Sequence, residues 1–330
     1  MKAMILAAGL GTRLRPITER YAKPAVPFLN IPLLYYSLSL MEQAGKIDGL
    51  VLNTHHHPEQ IEALASRLKD FDVAFSNEPG TPLGSGGGIW KARKLLEGGG
   101  SFVVANGDEV ILPHNPKIMR EFLTKHEKSG ALATILVMKH PLVGTQFGGV
   151  WADNDGRVRG FGKDGSKFGT DVTGYHYIGL LLLSDRVFNY LPAGESNILY
   201  DALATGIANH EKVEVLVDSF TWFETGNPKD FLHATDEALD LLAHGKGEDA
   251  KCLREICERY WTEKMDLKVD GASRLLISKK ARIHETASLR GFAVISDGAT
   301  IGRNAQVENA VVLPGAAALE AAIVRHEIKF

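Results

Sequence analysis

Short apolar runs closed by turn residues alternate with amphipathic stretches along the first two thirds of the chain. Residues 2–7, 50–53, 73–75 and 102–105 read as strands, because strands buried on both faces are short continuous apolar runs. The stretches between them have helical spacing: Pro32 opens one helix that Gly45 ends, and Pro58 opens another that runs to about Lys69. Strand and helix in alternation imply right-handed crossovers and predict an α/β domain with a mostly parallel sheet. Residues 131–138, 177–183 and Val213–Val217 continue the sheet around a glycine-rich interval, 144–174, that reads as an inserted lobe. A helix over 228–243 closes the domain.

Beyond Gly245 and Gly247 a charged helical connector gives way to a different period. Ile283, Leu289, Ile295, Ile301, Val307 and Leu313 stand six apart, and Ala281, Ala287, Ala293, Ala299 and Ala305 precede the first five by two residues. A six-residue aliphatic period predicts a short left-handed parallel β-helix of hexapeptide repeats, each side chain stacked on its equivalent in neighbouring turns. Two hairpins with accidental spacing are the alternative. The expected organisation is a large α/β domain over 1–244, a connector over 245–272 and repeat coils over 273–330. Coil ends expose strand edges, so the tail is expected to carry a homo-oligomer contact.

Composition narrows the chemistry. With 330 residues, 45% hydrophobic and 23% charged, the chain has material for one large core and a smaller one. A formal net charge of -3 offers no broad basic field, so no nucleic-acid partner is expected; a small anion held by local cations and backbone amides fits better. No apolar stretch approaches the ~18 residues of a membrane span, so no membrane partner is expected. The two cysteines, Cys252 and Cys257, lack metal or redox spacing, and a reducing, cytoplasmic setting is expected. Three consecutive histidines, His55, His56 and His57, cannot all face one ion and read as a strand-to-helix loop.

Where the first apolar run ends, the chain reads Leu6-Ala7-Ala8-Gly9-Leu10-Gly11-Thr12-Arg13-Leu14-Arg15-Pro16, with Lys23-Pro24 following. Two glycines let the backbone approach a ligand, and Arg13, Arg15 and Lys23 supply charge for phosphate. The spacing matches neither the dinucleotide fingerprint nor a Walker loop. Taken alone, such a loop serves equally as a phosphate cradle or a plain turn. Asp108 stands just past another apolar run, where a carboxylate can hold a hard cation or cap the next turn.

Residues 6–16 with Lys23-Pro24 resemble the signature of the sugar nucleotidyltransferases, also called nucleotide-sugar pyrophosphorylases. Asn53-Thr54-His55-His56, Pro82-Leu83-Gly84-Ser85-Gly86-Gly87, Asn106-Gly107-Asp108 and the segment from Trp222 to Pro228 extend the likeness over most of the chain, and the tail is similar to that of the mannose-1-phosphate guanylyltransferase branch. The resemblance implies a Rossmann-like nucleotidyltransferase domain that joins a nucleoside triphosphate to a sugar-1-phosphate and releases pyrophosphate, with GTP and mannose-1-phosphate as first choice. Glucose-, N-acetylhexosamine- or heptose-1-phosphate, or a non-catalytic sensing or assembly role, are the alternatives; the repeat tail argues against a cytidylyl- or molybdopterin-type relative.

Residue by residue, the resemblance implies that Leu6, Ala8, Gly9, Gly11, Thr12 and Asn106 contact the nucleotide and that Gly84 and Ser85 lie against the base. It gives Arg13 the departing pyrophosphate and Lys23 the reacting phosphates, Lys163 and Gly148 the sugar phosphate, and Asp108 and Glu224 a Mg²⁺ ion. Three departures stand out. Glu224 occupies the place of the family's aspartate, Gly162-Lys163-Asp164 replaces Glu-Lys-Pro, and Tyr177 stands where many relatives have asparagine.

Overall fold

A computed structural model describes residues 1–45 and 47–330. The chain begins with β1 (Lys2–Leu6), the two-residue strands β2 (Pro27–Phe28) and β3 (Ile31–Pro32), α1 (Leu33–Glu42), β4 (Gly49–Thr54), α2 (Pro58–Ala65), β5 (Val73–Asn77), α3 (Gly84–Lys91), α4 (Arg93–Leu96) and β6 (Ser101–Asn106). It continues with β7 (Val110–Pro113), α5 (Ile118–Ser129), β8 (Ala133–Met138), β9 (Gly149–Ala152), β10 (Val158–Gly162) and β11 (Thr173–Ser184). Then come α6 (Ala204–Ala208), β12 (Val213–Val217), β13 (Phe220–Phe223), α7 (Pro228–His244) and α8 (Glu248–Tyr260).

Strand β1 is central: Ala3, Met4 and Ile5 are fully buried, and the strand pairs in parallel with β4 on one side and β6 on the other. Strand β5 adds in parallel to β4. The expectation of a mostly parallel sheet holds for this half and for the β8–β12 pair. Strand β11 runs antiparallel to β6, β8 and β9, and the nine-stranded sheet is mixed. The cause is the connection: β9 and β10 form a hairpin, and a short 3-10 turn then brings the chain back on the other side of β9, so that β11 runs parallel to β10 and antiparallel to the β9 strand between them. The second helix also stops at Ala65, short of the expected Lys69.

Apolar side chains cover both sheet faces. On one, Phe28 meets Tyr36 and Phe231 edge to face at 5.8 and 5.5 Å, joining α1 to α7. On the other, Ile89 and Leu96 of α3 and α4 pack with Val104, Leu181 and Ile198. Among the described residues no helix is long and apolar enough to cross a membrane.

A buried histidine joins α5 to the sheet: His126 shares hydrogen bonds with the hydroxyls of Thr134 on β8 (2.9 Å) and Ser101 on β6 (3.2 Å). Burial is the main cause that lowers its pKa to about 4 from the usual 6.5. The native state therefore resists protonation that the unfolded chain accepts, so this histidine costs no stability above about pH 6.5 and costs progressively more as pH falls towards 4. Compared with His126→Asn, the wild type should lose on the order of 2 kcal/mol across that window. Urea unfolding of both proteins between pH 7 and 4.5 measures the difference; parallel pH curves would contradict the assignment.

The tail comprises β14 (Met265–Asp270), β15 (Ser273–Ser278), β16 (Arg282–Ile283), β17 (Ser288–Ile295), β18 (Thr300–Ile301), β19 (Gln306–Val312), β20 (Ala317–Ala318), β21 (Ile323–Arg325) and β22 (Ile328–Lys329). Strand β14 pairs antiparallel with β15, and all later pairings are parallel. Arg274 faces Phe292 and Ser288 faces Gln306, an offset of 18 residues, or three six-residue units. A bulge at Gly291–Phe292 opposite Asn309 then takes one residue out of the frame, so Ile295 faces Val312 and Ile301 faces Ala318. This corrects the expected place of Leu313: Val312 holds the interior position, while Leu313 packs into the core of the large domain.

The tail is tightly joined to the rest. Phe292, Val294, Val311 and Ile328 share one core with Phe231 and Leu239 of α7. Asn30, in the left-handed turn between β2 and β3, donates to Asp297 at 3.0 Å, and Trp261 donates to the Leu29 carbonyl at 2.9 Å.

Candidate active site

A cavity of about 350 Å³ opens at the carboxyl ends of β1, β4, β5 and β6. Leu6, Ala8, Gly9, Gly11, Thr12, Arg13, Lys23, Gly84, Ser85, Asn106 and Asp108 line it, together with Pro24, Asn53, Glu78, Pro82 and Gly226. Most of the residues singled out in the sequence are thus brought together. Glu224, Lys163 and Gly148 are not in this lining.

The first loop is fixed from both ends. Ala7 donates its N–H to Asn53 Oδ1 at 2.7 Å, and Thr18 Oγ1 donates to the Gly11 carbonyl at 2.9 Å. Gly11 adopts φ 59°, and a β-carbon there would press on the side chains of Thr18 and Lys23, so glycine alone suits the place. Gly107 donates to the Leu6 carbonyl at 2.9 Å, which sets Asp108 beside the loop. Lys23 Nζ and Asp108 Oδ2 pair at 2.5 Å. Arg13 is exposed and forms no ion pair with the described residues.

Strand β13 delivers the next segment by pairing with β7, Phe223 opposite Val110. Thr225 Oγ1 donates to the Asp108 carbonyl at 3.2 Å, tying the Glu224 segment to Asp108. Glu224 Oε1 accepts the Gly226 N–H at 2.7 Å, and a β-carbon on Gly226 would crowd both that carboxylate and the Arg13 guanidinium. Trp222 Nε1 donates to Glu109 at 3.0 Å; burial, and then the neighbouring Asp108 charge, raise the Glu109 pKa above the usual carboxylate range.

The glycine run is helical, not an open loop: Gly84 to Gly88 form the first turns of α3. Close packing explains this. Gly86 N–H donates to the Ser196 carbonyl at 2.8 Å, and a β-carbon on Gly84, Gly86, Gly87 or Gly88 would meet Ser196, Asn197, Gly194 or the Asn53–Glu78 pair.

Sequence reasoning missed that pair. Glu78 is 1% exposed, accepts from Asn53 Nδ2 at 2.6 Å and from the Leu83 N–H at 2.9 Å, and faces the cavity. Asn53 in turn holds Ala7, so one relay connects the first loop to the start of α3. Glu78 ends a short strand and belongs to no motif; only its position before the glycine run could have drawn notice.

Lys163 is exposed on the lobe built by β9 and β10, next to Gly162, whose carbonyl accepts from Trp151 Nε1 at 2.7 Å. A ring cluster was also missed: His140, Phe147, His176 and Trp222 meet at 4.6–5.8 Å. Burial, reinforced by His140, lowers the His176 pKa to about 4. The three consecutive histidines do lie between β4 and α2, with His55 bound to the carbonyl of Glu78, His56 to that of Thr18 and His57 to that of Glu19. Cys252 and Cys257 are free and buried.

An open α/β sheet with helices on both faces and a cavity beyond its parallel strand ends defines the broad class. The chain belongs to the nucleotidyl transferase family, whose model, described as Nucleotidyl transferase, matches residues 2–240. It is 30% identical over 250 residues to mannose-1-phosphate guanylyltransferase 1 of Arabidopsis thaliana, covering 73% of this chain and 66% of the relative. It is 31% identical over 251 residues to UTP–glucose-1-phosphate uridylyltransferase of Synechocystis, covering 71% and 62%. A mannose-1-phosphate guanyltransferase of Debaryomyces hansenii matches at 29% over 265 residues, covering 77% and 68%. The chain thus spans just under two thirds of the first two relatives' length.

Proposed function

We propose that the chain transfers a nucleoside monophosphate from a triphosphate to a sugar-1-phosphate and releases pyrophosphate, with GTP and mannose-1-phosphate as the preferred pair. Glu78 carries the choice of base. A carboxylate buried to this degree gains from every donor it can find, and two protein N–H groups leave lone pairs to spare on its oxygens. Guanine presents N1–H and N2–H side by side, a pair that suits a carboxylate; adenine, cytosine and uracil set an acceptor beside their donor. The names of two relatives, which specify mannose-1-phosphate, support the sugar.

Transfer between phosphates depends on position and charge more than on a covalent nucleophile. Gly9 and Gly11 let main-chain N–H groups close on the triphosphate, Lys23 holds the reacting phosphates and Arg13 meets the pyrophosphate as it departs. The donor set suits magnesium, which takes one or two carboxylates and completes its shell with phosphate oxygens and water. Asp108 and Glu224 would hold it, Glu224 through the oxygen not engaged by Gly226. The chemistry supplied by the ion is neutralisation of phosphate charge. Among the described residues no group of three or more His, Cys, Asp or Glu side chains is placed to hold a metal by itself.

The same reading takes the tail as a left-handed parallel β-helix, supported by parallel offsets of 17 and 18 residues. Its short strand β21 pairs only with β19 among the described residues, and Ile323 (62% exposed) on β21 and Leu319 (73%) just after β20 are exposed at this end of the tail. Free strand edges and apolar groups together suit pairing with a second copy.

Pyrophosphate release across four triphosphates and mannose-, glucose-, N-acetylglucosamine- and heptose-1-phosphates tests the activity; silence on every pair would favour a binding role. Glu78→Gln should lower kcat/KM for GTP about 10–100-fold, the worth of hydrogen bonds to a charged group (~1.5–3 kcal/mol), and change UTP far less. An equal loss for all four triphosphates would make Glu78 a scaffold instead of a base reader.

A further inference from the structure

One segment, residues 194–203, touches both the glycine helix and the β9–β10 lobe. Besides the Gly86 bond to Ser196, Ile198 donates its N–H to Ser85 Oγ at 3.0 Å, so the segment is fastened to α3 at a residue lining the cavity. The chain then makes a single π-helical turn, Ile198–Leu203. Asn197 Oδ1 accepts from Leu199 and Tyr200 N–H at 2.9 and 3.1 Å, and Asp201 Oδ2 accepts from Asn197 N–H at 2.6 Å. A π turn re-aims the side chains it carries and recurs at functional sites.

The side chain it carries here is Tyr200. The ring is 51% exposed and meets Phe161 of β10 at 6.2 Å. Its hydroxyl forms no hydrogen bond with the described residues and lies directly over Gly148: a β-carbon at 148 would stand 2.7 Å from it. On the same side of that glycine, 3.9 Å from the same β-carbon position, is the Gly162 backbone, followed at once by Lys163, whose ammonium has no carboxylate partner among the described residues. An unengaged hydroxyl and the backbone that leads into an unpaired cation thus meet on one side of one glycine, an arrangement that suits a small oxygen-rich anion.

We propose that Tyr200 is a sugar-phosphate-binding residue, its hydroxyl hydrogen-bonding an oxygen of the sugar-1-phosphate held over Gly148 beside Lys163. The inference rests on the transferase reading above. It also gives the π turn a purpose, since the turn holds Tyr200 above the lobe while Ser85 keeps its base in register with the nucleotide pocket. The bland alternative is an exposed tyrosine whose ring merely packs on Phe161.

Tyr200→Phe separates the two, because it keeps the ring and removes only the hydroxyl. Calorimetric titration of mannose-1-phosphate and glucose-1-phosphate into wild type and variant should show about tenfold weaker binding of the preferred sugar phosphate to the variant. GTP binding and the melting midpoint should be unchanged. Equal sugar-phosphate affinities in a wild type that turns over one of the pairs would overturn the role of Tyr200 and leave the transferase reading standing. A wild type that binds no sugar phosphate and releases no pyrophosphate would overturn that reading and this inference with it.

Discussion

Arg13→Ala is expected to lower kcat by about 10²–10³, on the order of 3–4 kcal/mol, while KM for the sugar phosphate stays near its wild-type value. Arg13 is exposed at the cavity wall and forms no ion pair among the described residues, so it does not hold the fold together. Its guanidinium lies near Gly226 and the Glu224 carboxylate. Under the proposed function, charge builds on the leaving pyrophosphate as the bond to it breaks, and a fixed cation acts on that state more than on bound substrate. Rapid-quench measurement of the transfer step reads the effect directly. A variant with wild-type turnover and only a raised KM for sugar phosphate would move Arg13 to the other substrate.

Gly87→Ala should destabilise the protein by about 2–3 kcal/mol, the scale of overpacking a close contact. In an ordinary helix the same change gains about 1 kcal/mol, so the sign itself is diagnostic. Gly87 lies inside α3, yet its missing β-carbon would overlap the Gly194 carbonyl oxygen and stand 2.9 Å from Leu83 Cβ. Both are main-chain or near main-chain groups that cannot swing aside as a long side chain would. The segment bearing Gly194 continues into Ser196, Ile198 and Tyr200, so the displacement should also raise KM for the triphosphate. Urea unfolding checks the first effect and steady-state kinetics the second; a raised unfolding midpoint would show that residues 192–197 yield freely.

The parallel half of the sheet was legible because β1, β4 and β6 are buried on both faces and therefore apolar throughout, and because the glycine loop must follow the strand it leaves. The direction of β11 was not legible. Its apolar run, Ile178–Leu183, would serve either direction, and only the path from β10 past β9 into β11 decides between them. The six-residue period survived as far as Val307 and then failed at Leu313, because a bulge is paid for by two residues, Gly291 and Asn309, whose positive φ leaves no mark in hydrophobic spacing. Of the residues lining the cavity, Gly9, Gly11, Arg13, Lys23 and Asp108 belong to compact motifs and were legible, whereas Glu78 owes its place to contacts with distant segments. No local pattern encodes an Asn53 located 25 residues before its carboxylate partner.

The clasp between Asn30 and Asp297 spans 267 residues of chain. During synthesis the turn that carries Asn30 leaves the ribosome early, and α7 follows with Phe231 and Leu239 ready to pack, but Phe292, Val294, Val311 and Ile328 do not yet exist. At roughly 5–20 residues per second, the interval between completing α8 and delivering Ile328 is on the order of ten seconds. For that time the nascent large domain presents an uncovered apolar face, a surface that invites chaperone binding or premature association. Nascent chains arrested near residue 260 should accordingly be protease-sensitive along α7, and relieving the arrest so that synthesis finishes should restore protection in one late step.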